Sequence, residues 1–189
     1  MSSSARVPTR RADAERNRDK LIAAARVAFS DDSVSEVSMA EIARRAGVGM
    51  ATLYRNFPSR GELLAAVYVE EVNALVDAAP TLPGKTPGLR FTEWLHRFFA
   101  FYNAKRHVGS ELFSHRDDAG PFLNAGRDRV LAVGEPLLAD AQRSGEVRGD
   151  LSLPQILEMI IAIARISGGP DYLEPILQTA LDGLHPRSK

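Results

Sequence analysis

Apolar residues recur at helical spacing along most of the chain, and no segment alternates them as a strand would. In the first such stretch the apolar residues lie opposite charged ones: Leu21, Ile22, Ala25, Ala28 and Phe29 against Arg18, Lys20 and Arg26. This spacing is typical of a helix with one buried face. The pattern therefore predicts a first helix that starts near Ala12 and ends at about Ser30.

Two short helices around a glycine are predicted between residues 37 and 57. Ser38 followed by Glu41 matches a capping box, in which each side chain satisfies a backbone N–H of the first turn. The helix that starts there ends near Ala46, because Gly47 readily adopts the left-handed conformation that closes a helix. A second helix follows over residues 50–56. The sequence therefore predicts a helix-turn-helix.

The inner and outer faces of this motif differ in chemistry. Ile42, Val48 and Leu53 supply an apolar inner face, and small alanines allow the two helices to approach closely. Polar and flexible side chains are left outside, at Met50, Thr52, Arg55 and Asn56, and Tyr54 lies between the two faces. An ordinary helical corner is the alternative, but these exposed side chains have no duty in a core.

A long helix is predicted directly after the motif. Ser59 and Glu62 form a second capping box, and the apolar positions that follow predict a helix over residues 60–78. At 1.5 Å per residue such a helix spans roughly 28 Å, enough to lead from one domain to another. Residues 79–88 are rich in proline and glycine, which predicts a loop.

The second half of the chain is predicted to contain helices only. A third capping box pairs Ser152 with Gln155, and Gly120 with Pro121 predicts a break. The expected helices span residues 89–105, 107–115, 122–144 and 152–167, with a last one from Pro170. The fold class is therefore all-α, with an N-terminal three-helix helix-turn-helix domain joined by a long helix to a C-terminal helical bundle.

Composition is that of a globular protein. The chain has 189 residues, 44% hydrophobic and 25% charged, and no cysteine, which excludes disulfides and thiolate chemistry. The longest apolar run, Leu63 to Val69, is far shorter than the roughly 18 residues that a membrane span needs. The start of the chain shows no apolar stretch like a secretion signal. A cytoplasmic location is the expectation.

Charge is unevenly distributed although the formal net charge is zero. Residues 1–60 carry 11 basic and 7 acidic side chains, and the remainder carries 13 and 17. A basic N-terminal third suggests contact with a polyanion. The segment 1–11 is too polar to order itself and is expected to be a flexible basic arm. Its Arg6, Arg10 and Arg11 could follow DNA, but a free tail is the favoured interpretation.

The segment from Leu21 to Val67 resembles the N-terminal domain of the TetR family of bacterial transcriptional regulators. The matching residues are Ala24-Ala25, Phe29, Ser38-Met39, Ile42-Ala43, Ala46-Gly47-Val48, Thr52-Leu53-Tyr54, Phe57 and Leu63-Leu64. The chain departs from the family in Asp31 to Glu36, where a glycine is usual. The C-terminal half is similar to an effector domain common in actinobacterial members, through Trp94-Leu95, Phe101-Tyr102, Lys105-Arg106, Ala141-Gln142, Gly145 to Arg148 and Arg165.

The resemblance implies a homodimer that binds palindromic operator DNA and leaves it when a small molecule enters the C-terminal domain. It divides the chain into a flexible arm (1–11), a helix-turn-helix DNA-binding domain (12–58) and a helical effector-binding and dimerisation domain (59–189). It implies neither a cofactor nor a membrane partner. The expected function is a sequence-specific regulator, a repressor released by its ligand, and not an enzyme.

Residue by residue, the resemblance assigns operator contacts to the second and third helices and the start of the fourth. These positions are Ser38, Met39, Met50, Ala51, Thr52, Tyr54, Arg55, Asn56 and Arg60. The third helix would lie in the major groove, with Arg55 and Asn56 near base edges or phosphates and Tyr54 at a phosphate. Arg60 stands where the family often has a lysine that contacts phosphate.

A ligand pocket is expected among the aromatic residues of the C-terminal half. Core packing is the alternative for any one of them, but so many large rings within a few helices commonly leave an apolar cavity. The candidate pocket residues are Trp94, Phe98, Phe101, Tyr102, Phe113, Phe122 and Met159.

Other chemistry has little support in the sequence. His107, Glu111 and His115 would share one face of an unbroken helix and could bind a divalent metal, although nearby glycines weaken that helix. We expect no metal site, and no motif indicates catalysis. A helical enzyme using these three residues, and a DNA-organising or ligand-binding module that no longer selects sequence, are the competing hypotheses.

The last two helices carry apolar residues on more than one face. Such a pair suits a four-helix interface between two subunits. Burial within one subunit is the alternative, and dimerisation is the favoured interpretation.

Overall fold

The computed structural model describes residues 10–29, 37–104 and 116–186, with side chains described for 12–29, 37–103 and 123–186. Within these ranges all regular structure is helical, as predicted, and no strand is found. The α-helices are α1 (Arg10–Ala28), α2 (Met39–Ala46), α3 (Met50–Asn56), α4 (Arg60–Ala78), α5 (Pro87–Ala104), α6 (Arg116–Arg143), α7 (Leu153–Ala164) and α8 (Pro170–Asp182). A short 3-10 helix, Ala79–Thr81, follows α4. No helix in the described part of the chain is long and apolar enough to cross a bilayer.

The helix starts follow their capping residues closely. The Ser38 and Ser59 hydroxyls each accept a hydrogen bond from the backbone N–H three residues on, both at 3.2 Å. At α7 the Gln155 side-chain oxygen accepts from the Ser152 backbone N–H at 2.9 Å. The predicted capping box of α2 differs from the structure in one respect. The Glu41 carboxylate, which was expected to accept from the Ser38 backbone N–H, pairs with two arginines of its own helix.

Three predicted boundaries are corrected by the structure. Helix α5 begins two residues early, because Thr86 caps it by accepting from the Leu89 N–H at 3.3 Å, and Pro87 occupies the first turn, where a missing N–H costs little. Helix α6 runs through Gly120 and Pro121 instead of breaking there. A glycine before proline lacks the Cβ that would clash with the proline ring. Helix α7 ends at Ala164 rather than at Ser167.

Helix α1 begins within the segment 1–11, which was expected to be a flexible arm. Helix α1 begins at Arg10, so Arg10 and Arg11 belong to it. Residues 1–9, with Arg6, lie outside the described residues, as do Asp31 to Glu36 and the helix expected over 107–115.

Two hydrophobic cores organise the fold. Helix α1 packs against α2, α3 and α4 around an N-terminal core, in which Leu21, Ile42 and Leu53 are fully buried. Helices α4 to α8 enclose a C-terminal core around Trp94 and Ile160. Burial of large apolar side chains of this kind is the main stabilising contribution in each core.

Helix α4 belongs to both cores. Its first half gives Leu63 and Val67 to the N-terminal core, and its second half gives Val72 and Leu75 to the C-terminal one. The division between the two cores therefore lies within α4, and the domain boundary after residue 58 stays a prediction. Tyr68 packs against both cores at this point.

Two glycines of α6 allow aromatic rings to approach its backbone. A Cβ on Gly126 would lie 2.7 Å from Tyr68 Cε1, and one on Gly134 would lie 2.5 Å from Trp94 Cη2. Glycine within a helix costs about 1 kcal/mol relative to alanine. The close packing of Tyr68 and Trp94 against α6 accounts for both glycines.

Candidate functional site

The turn between α2 and α3 has the geometry that the sequence predicts. Gly47 has φ 64° and ψ 34°, in the left-handed region, and its N–H bonds to the Arg44 carbonyl at 3.2 Å. The Val48 N–H bonds to the Ala43 carbonyl at 3.0 Å, which closes α2. Helix α3 then starts after Gly49 and is anchored by the fully buried Leu53.

The outer face of α3 presents a set of polar and flexible side chains. Tyr54 is 49% exposed and Met50 is 39% exposed. Thr52 organises the face, because it accepts from Arg55 Nη2 at its hydroxyl (2.7 Å) and from Asn56 Nδ2 at its backbone carbonyl (2.8 Å). Ala51 is exposed beside them. The face thus offers guanidinium, amide and hydroxyl donors, the groups that contact base edges and phosphates.

The start of α2 lies beside this face, but its polar groups are already engaged. Ser38 caps the helix, and Met39 is half-buried against the N-terminal core. Glu41 accepts from Arg44 at 2.8 Å and from Arg45 at 2.7 Å. These hydrogen bonds lower the pKa of the Glu41 carboxyl to about 2. The α2 arginines are therefore partly neutralised by a carboxylate that stays ionised at neutral pH.

Arg60 points toward the protein. Its Nη1 donates to the Val37 carbonyl, and its guanidinium carbon lies 5.1 Å from the centre of the Phe29 ring. A cation over an aromatic face is attracted by the ring quadrupole. In this conformation Arg60 ties α4 to the segment before α2 and to the end of α1, and its predicted phosphate contact stays a prediction.

The surface formed by α2, α3 and the start of α4 is basic. Between residues 37 and 60 the chain has four arginines and one glutamate. Excess positive charge of this kind attracts the phosphate backbone of nucleic acid irrespective of sequence.

A cavity of about 450 Å³ lies between α4, α5, α6 and α7. Its walls are mostly apolar, with a few polar groups, a combination typical of small-molecule sites. The lining residues are Tyr68, Phe98, Phe101, Tyr102, Leu123, Asn124, Arg127, Val130, Leu131, Pro154, Leu157, Glu158 and Ile161.

The aromatic residues of α5 form a ladder that ends at the cavity. Trp94 and Phe98 have ring centres 5.9 Å apart, and those of Phe98 and Tyr102 are 4.9 Å apart. Phe101 meets Tyr102 edge to face at 5.3 Å and Tyr68 at 5.9 Å. Contacts of this geometry fix ring orientation. The cavity therefore has a wall of four interlocked rings.

The predicted pocket residues divide into three groups. Phe98, Phe101 and Tyr102 line the cavity. Trp94 is fully buried behind Phe98, and Met159 packs against the C-terminal core, and neither is among the lining residues. Phe113 and the side chain of Phe122 lie outside the described residues, so their assignment stays a prediction.

Four of the polar lining residues, Tyr68, Asn124, Arg127 and Glu158, were not predicted from the sequence, although a signal for two of them exists. Tyr68 lies four residues after Leu64 and four before Val72, so it continues the buried stripe of α4. Arg127 interrupts an apolar stripe that includes Leu123, Val130 and Leu131, and a charge within such a stripe indicates a special environment.

Both tyrosines of the cavity remain protonated at neutral pH. Burial raises the pKa of Tyr68 to about 12, with a smaller contribution from Tyr102. Burial also raises the pKa of Tyr102, against the opposing influence of Arg165 and Arg127. Each phenol can therefore donate a hydrogen bond to a bound molecule.

No metal centre is found among the residues that the structure describes. The candidate ligands His107, Glu111 and His115 lie outside those residues, so the structure does not address them.

Two family models match the chain. The model described as bacterial regulatory proteins, tetR family, matches residues 21–67, and the model described as transcriptional regulator SbtR-like, C-terminal domain, matches residues 86–186. The second match alone covers more than half of the chain. Together the two matches cover the N-terminal core and most of the C-terminal core, whose Val72, Leu75 and Leu82 lie between the matched ranges.

Related proteins agree with these matches. An HTH-type transcriptional regulator of Staphylococcus aureus is 35% identical over 66 residues, which span 35% of this chain and 36% of that protein. The crystal structure of a TetR transcriptional regulator from Streptomyces coelicolor is 34% identical, with a TM-score of 0.73 over 90% of this chain and 99% of that one. A TetR transcription regulatory protein from Mycobacterium vanbaalenii is 32% identical, with a TM-score of 0.71 over 93% and 99% of the two chains.

Proposed function

The chain belongs to the tetR family of bacterial regulatory proteins, which are DNA-binding transcription factors and not enzymes, and we propose that it is a dimeric repressor released from its operator by a small molecule. Three parts of this proposal go beyond membership of the family. They are the identity of the residues that contact the operator, the response to a ligand and the direction of regulation.

Operator contact is assigned to the outer face of α3, supported by the side chains of α2. Tyr54, Arg55 and Asn56 lie on this face, and Thr52 holds the last two through hydrogen bonds. A side chain held in place loses less conformational entropy when it binds. Each good contact to a base contributes about 1–3 kcal/mol of discrimination between sequences.

Dimerisation is assigned to α7 and α8. Helix α8 packs against α7 and leaves Tyr172 60% exposed. A homodimer with two-fold symmetry would present two copies of α3 to one face of the DNA. Its geometry must hold the two copies about 34–36 Å apart, one turn of the double helix, to fit a palindromic operator.

The ligand response rests on one observation: Tyr68 and Leu123 line the cavity and also pack against the N-terminal core. A molecule that occupies the cavity must fit against both residues. If it fits better when α4 and α6 take a position that misplaces α3, it shifts the protein toward that state. The size of the shift is limited by the difference between its affinities for the two states.

The proposal is tested by enriching random DNA duplexes on the purified protein at near-physiological salt and sequencing the bound pool. We expect a palindrome whose half-sites are one helical turn apart. The enriched duplex should survive competition by random DNA, because specific complexes are about 10³–10⁷ times tighter than non-specific ones. A folded dimer that enriches no sequence contradicts the proposal and favours a module that binds phosphates without selecting sequence.

A further inference from the structure

We propose that the cavity takes a compact, largely aromatic molecule that carries one anionic group, and that Arg127 pairs with this group. The inference rests on the proposed ligand response, because it names the class of molecule that the same cavity binds.

The size of the cavity sets the size of the molecule. A cavity of roughly 150 Å³ lined by apolar side chains is enough to bind benzene in another protein. The cavity here measures about 450 Å³. One or two rings with a side group therefore fit into it.

The walls favour a flat aromatic body. Phe98, Phe101, Tyr102 and Tyr68 contribute rings whose mutual angles are fixed by their contacts at 4.9–5.9 Å. A guest ring can meet such walls face to edge or in an offset stack, which adds to the gain from apolar burial. Leu157 and Ile161 complete the apolar surface from α7.

The charge at the cavity favours an anion. Arg127 lines the cavity at a solvent-exposed position and makes no ion pair with any residue that the structure describes. Arg127 and Arg165 both favour negative charge at the Tyr102 hydroxyl. An ammonium group would be repelled by both guanidinium groups, whereas a carboxylate can accept two parallel hydrogen bonds from one of them.

Neutral hydrogen-bond donors also belong to the lining of the cavity. The Tyr68 and Tyr102 hydroxyls form no hydrogen bond with another described residue, and their protonated state lets both donate. Asn124 lies one turn before Arg127 on α6 and also lines the cavity. Several donors in the lining of one cavity suit an acceptor-rich group such as a carboxylate.

Glu158 is the opposing charge in the lining. Its carboxylate would repel the anion of a ligand, so its removal should strengthen anion binding. The opposite holds for a cationic ligand. It would pair with Glu158, and its affinity would increase when Arg127 is removed. The two side chains therefore separate the two classes of ligand.

The test uses three naphthalene probes of similar size: 2-naphthoate, 2-naphthamide and 2-naphthylmethylammonium. Their affinities for the full-length protein are measured by calorimetry, without DNA. We expect naphthoate to bind up to about fivefold more tightly than the amide, since an ion pair with a solvent-exposed arginine contributes up to about 1 kcal/mol. Equal affinity for acid and amide, a preference for the ammonium compound, or no binding of any probe would overturn the inference.

Matched variants locate the charge. Arg127→Gln should abolish the preference for naphthoate, and Glu158→Gln should increase naphthoate affinity. Arg129→Gln is the control, because Arg129 lies two residues away on α6 and donates to Asn73 outside the cavity. Loss of the preference in the Arg129 variant, or its retention in a folded Arg127 variant, contradicts the assignment.

Failure of the inference is distinguishable from failure of the proposed function. Calorimetry without DNA reports on the cavity alone, and displacement of a fluorescent operator reports on release. Naphthoate binding without operator release contradicts the ligand response and leaves the ligand class intact. Release by the amide or the ammonium compound, but not by the acid, keeps the ligand response and overturns the ligand class.

Discussion

The N-terminal and C-terminal halves place their polar side chains on opposite sides of their cores. In the N-terminal half the core is closed around Leu53, and Tyr54 and Arg55 face solvent on α3. In the C-terminal half Tyr68 and Tyr102 face inward, to a cavity. The first arrangement suits contact with a large partner that lies against the surface, and the second suits a small molecule that lies between helices. Helix α4 connects the two, because both cores include part of it.

The largest expected effect is a loss of stability that is confined to one of the two cores. Leu53→Ala removes a fully buried side chain from α3 and should destabilise the N-terminal core by about 2–5 kcal/mol. Trp94 is the only tryptophan and lies in the C-terminal core, so its fluorescence reports on that core alone. In chemical denaturation we expect circular dichroism to show an earlier loss of helix while the fluorescence midpoint stays nearly constant.

Met50→Ala is the matched control for this change, because Met50 lies on the same helix and is 39% exposed. It should leave both denaturation curves in place. A common shift of both signals in the Leu53 variant would mean that the two cores unfold as one unit, which contradicts their separation.

The next effect is a loss of operator binding without a loss of ligand binding. Arg55→Ala should weaken operator binding at least about tenfold, because the variant dimer loses one base contact of about 1–3 kcal/mol in each half-site, while naphthoate binding to the cavity is unchanged. Fluorescence anisotropy with the enriched operator measures the first and calorimetry the second. Arg97→Ala is the control, because Arg97 is an exposed arginine of α5 that pairs with Glu93. Equal operator affinity in the Arg55 variant and the wild type would remove Arg55 from the contact surface.

A smaller effect concerns the turn that positions α3. Gly47→Ala should cost about 1–2 kcal/mol, because alanine is strained in the left-handed region. Space is not the cause, since a Cβ on Gly47 would meet nothing within 4 Å. Gly49→Ala has the same open surroundings but a φ of −68°, so it should cost less than Gly47→Ala, only the loss of a favourable N-cap residue. Similar loss of stability in the two variants, measured by thermal denaturation, contradicts the role of the left-handed turn.

The smallest effect is electrostatic. The hydrogen bonds from Arg44 and Arg45 hold the pKa of Glu41 at about 2, below its ordinary value of 4.5. A lowered carboxyl pKa contributes stability above pH 4.5 that is lost as the pH falls toward 2. The contribution is modest because the three side chains are exposed to solvent. An NMR titration of the Glu41 carboxyl carbon checks the shift, and a midpoint near 4.5 contradicts the ion pairs.

The helix-turn-helix could be predicted from the sequence because its signals are local. Ser38 and Gly47 fix the start and end of α2 through contacts within a few residues. A local pattern also explains what was missed at α5, where Thr86 and Pro87 form a helix start that the glycines nearby obscured. The break expected at Gly120 and Pro121 was wrong because the pair was interpreted without the steric relief that glycine gives to the following proline.

The cavity could be predicted only in part, because its lining comes from four helices. Trp94 and Phe98 lie one turn apart on the same stripe of α5, yet Trp94 packs against Gly134 and Phe98 lines the cavity. The difference depends on how α6 packs against α5. This packing register cannot be predicted from a local sequence pattern. Arg127 was overlooked for the same reason, since its position in the cavity depends on how α6 lies against α4 and α7.

The central claim is that occupation of the cavity and operator binding by α3 are coupled. The most direct test is calorimetry of 2-naphthoate binding to the protein, first free and then saturated with the enriched operator. Coupling of two sites is reciprocal, so the operator should weaken naphthoate binding by the same factor by which naphthoate weakens operator binding, typically about 5–150-fold. An unchanged naphthoate affinity in the presence of the operator would contradict the claim.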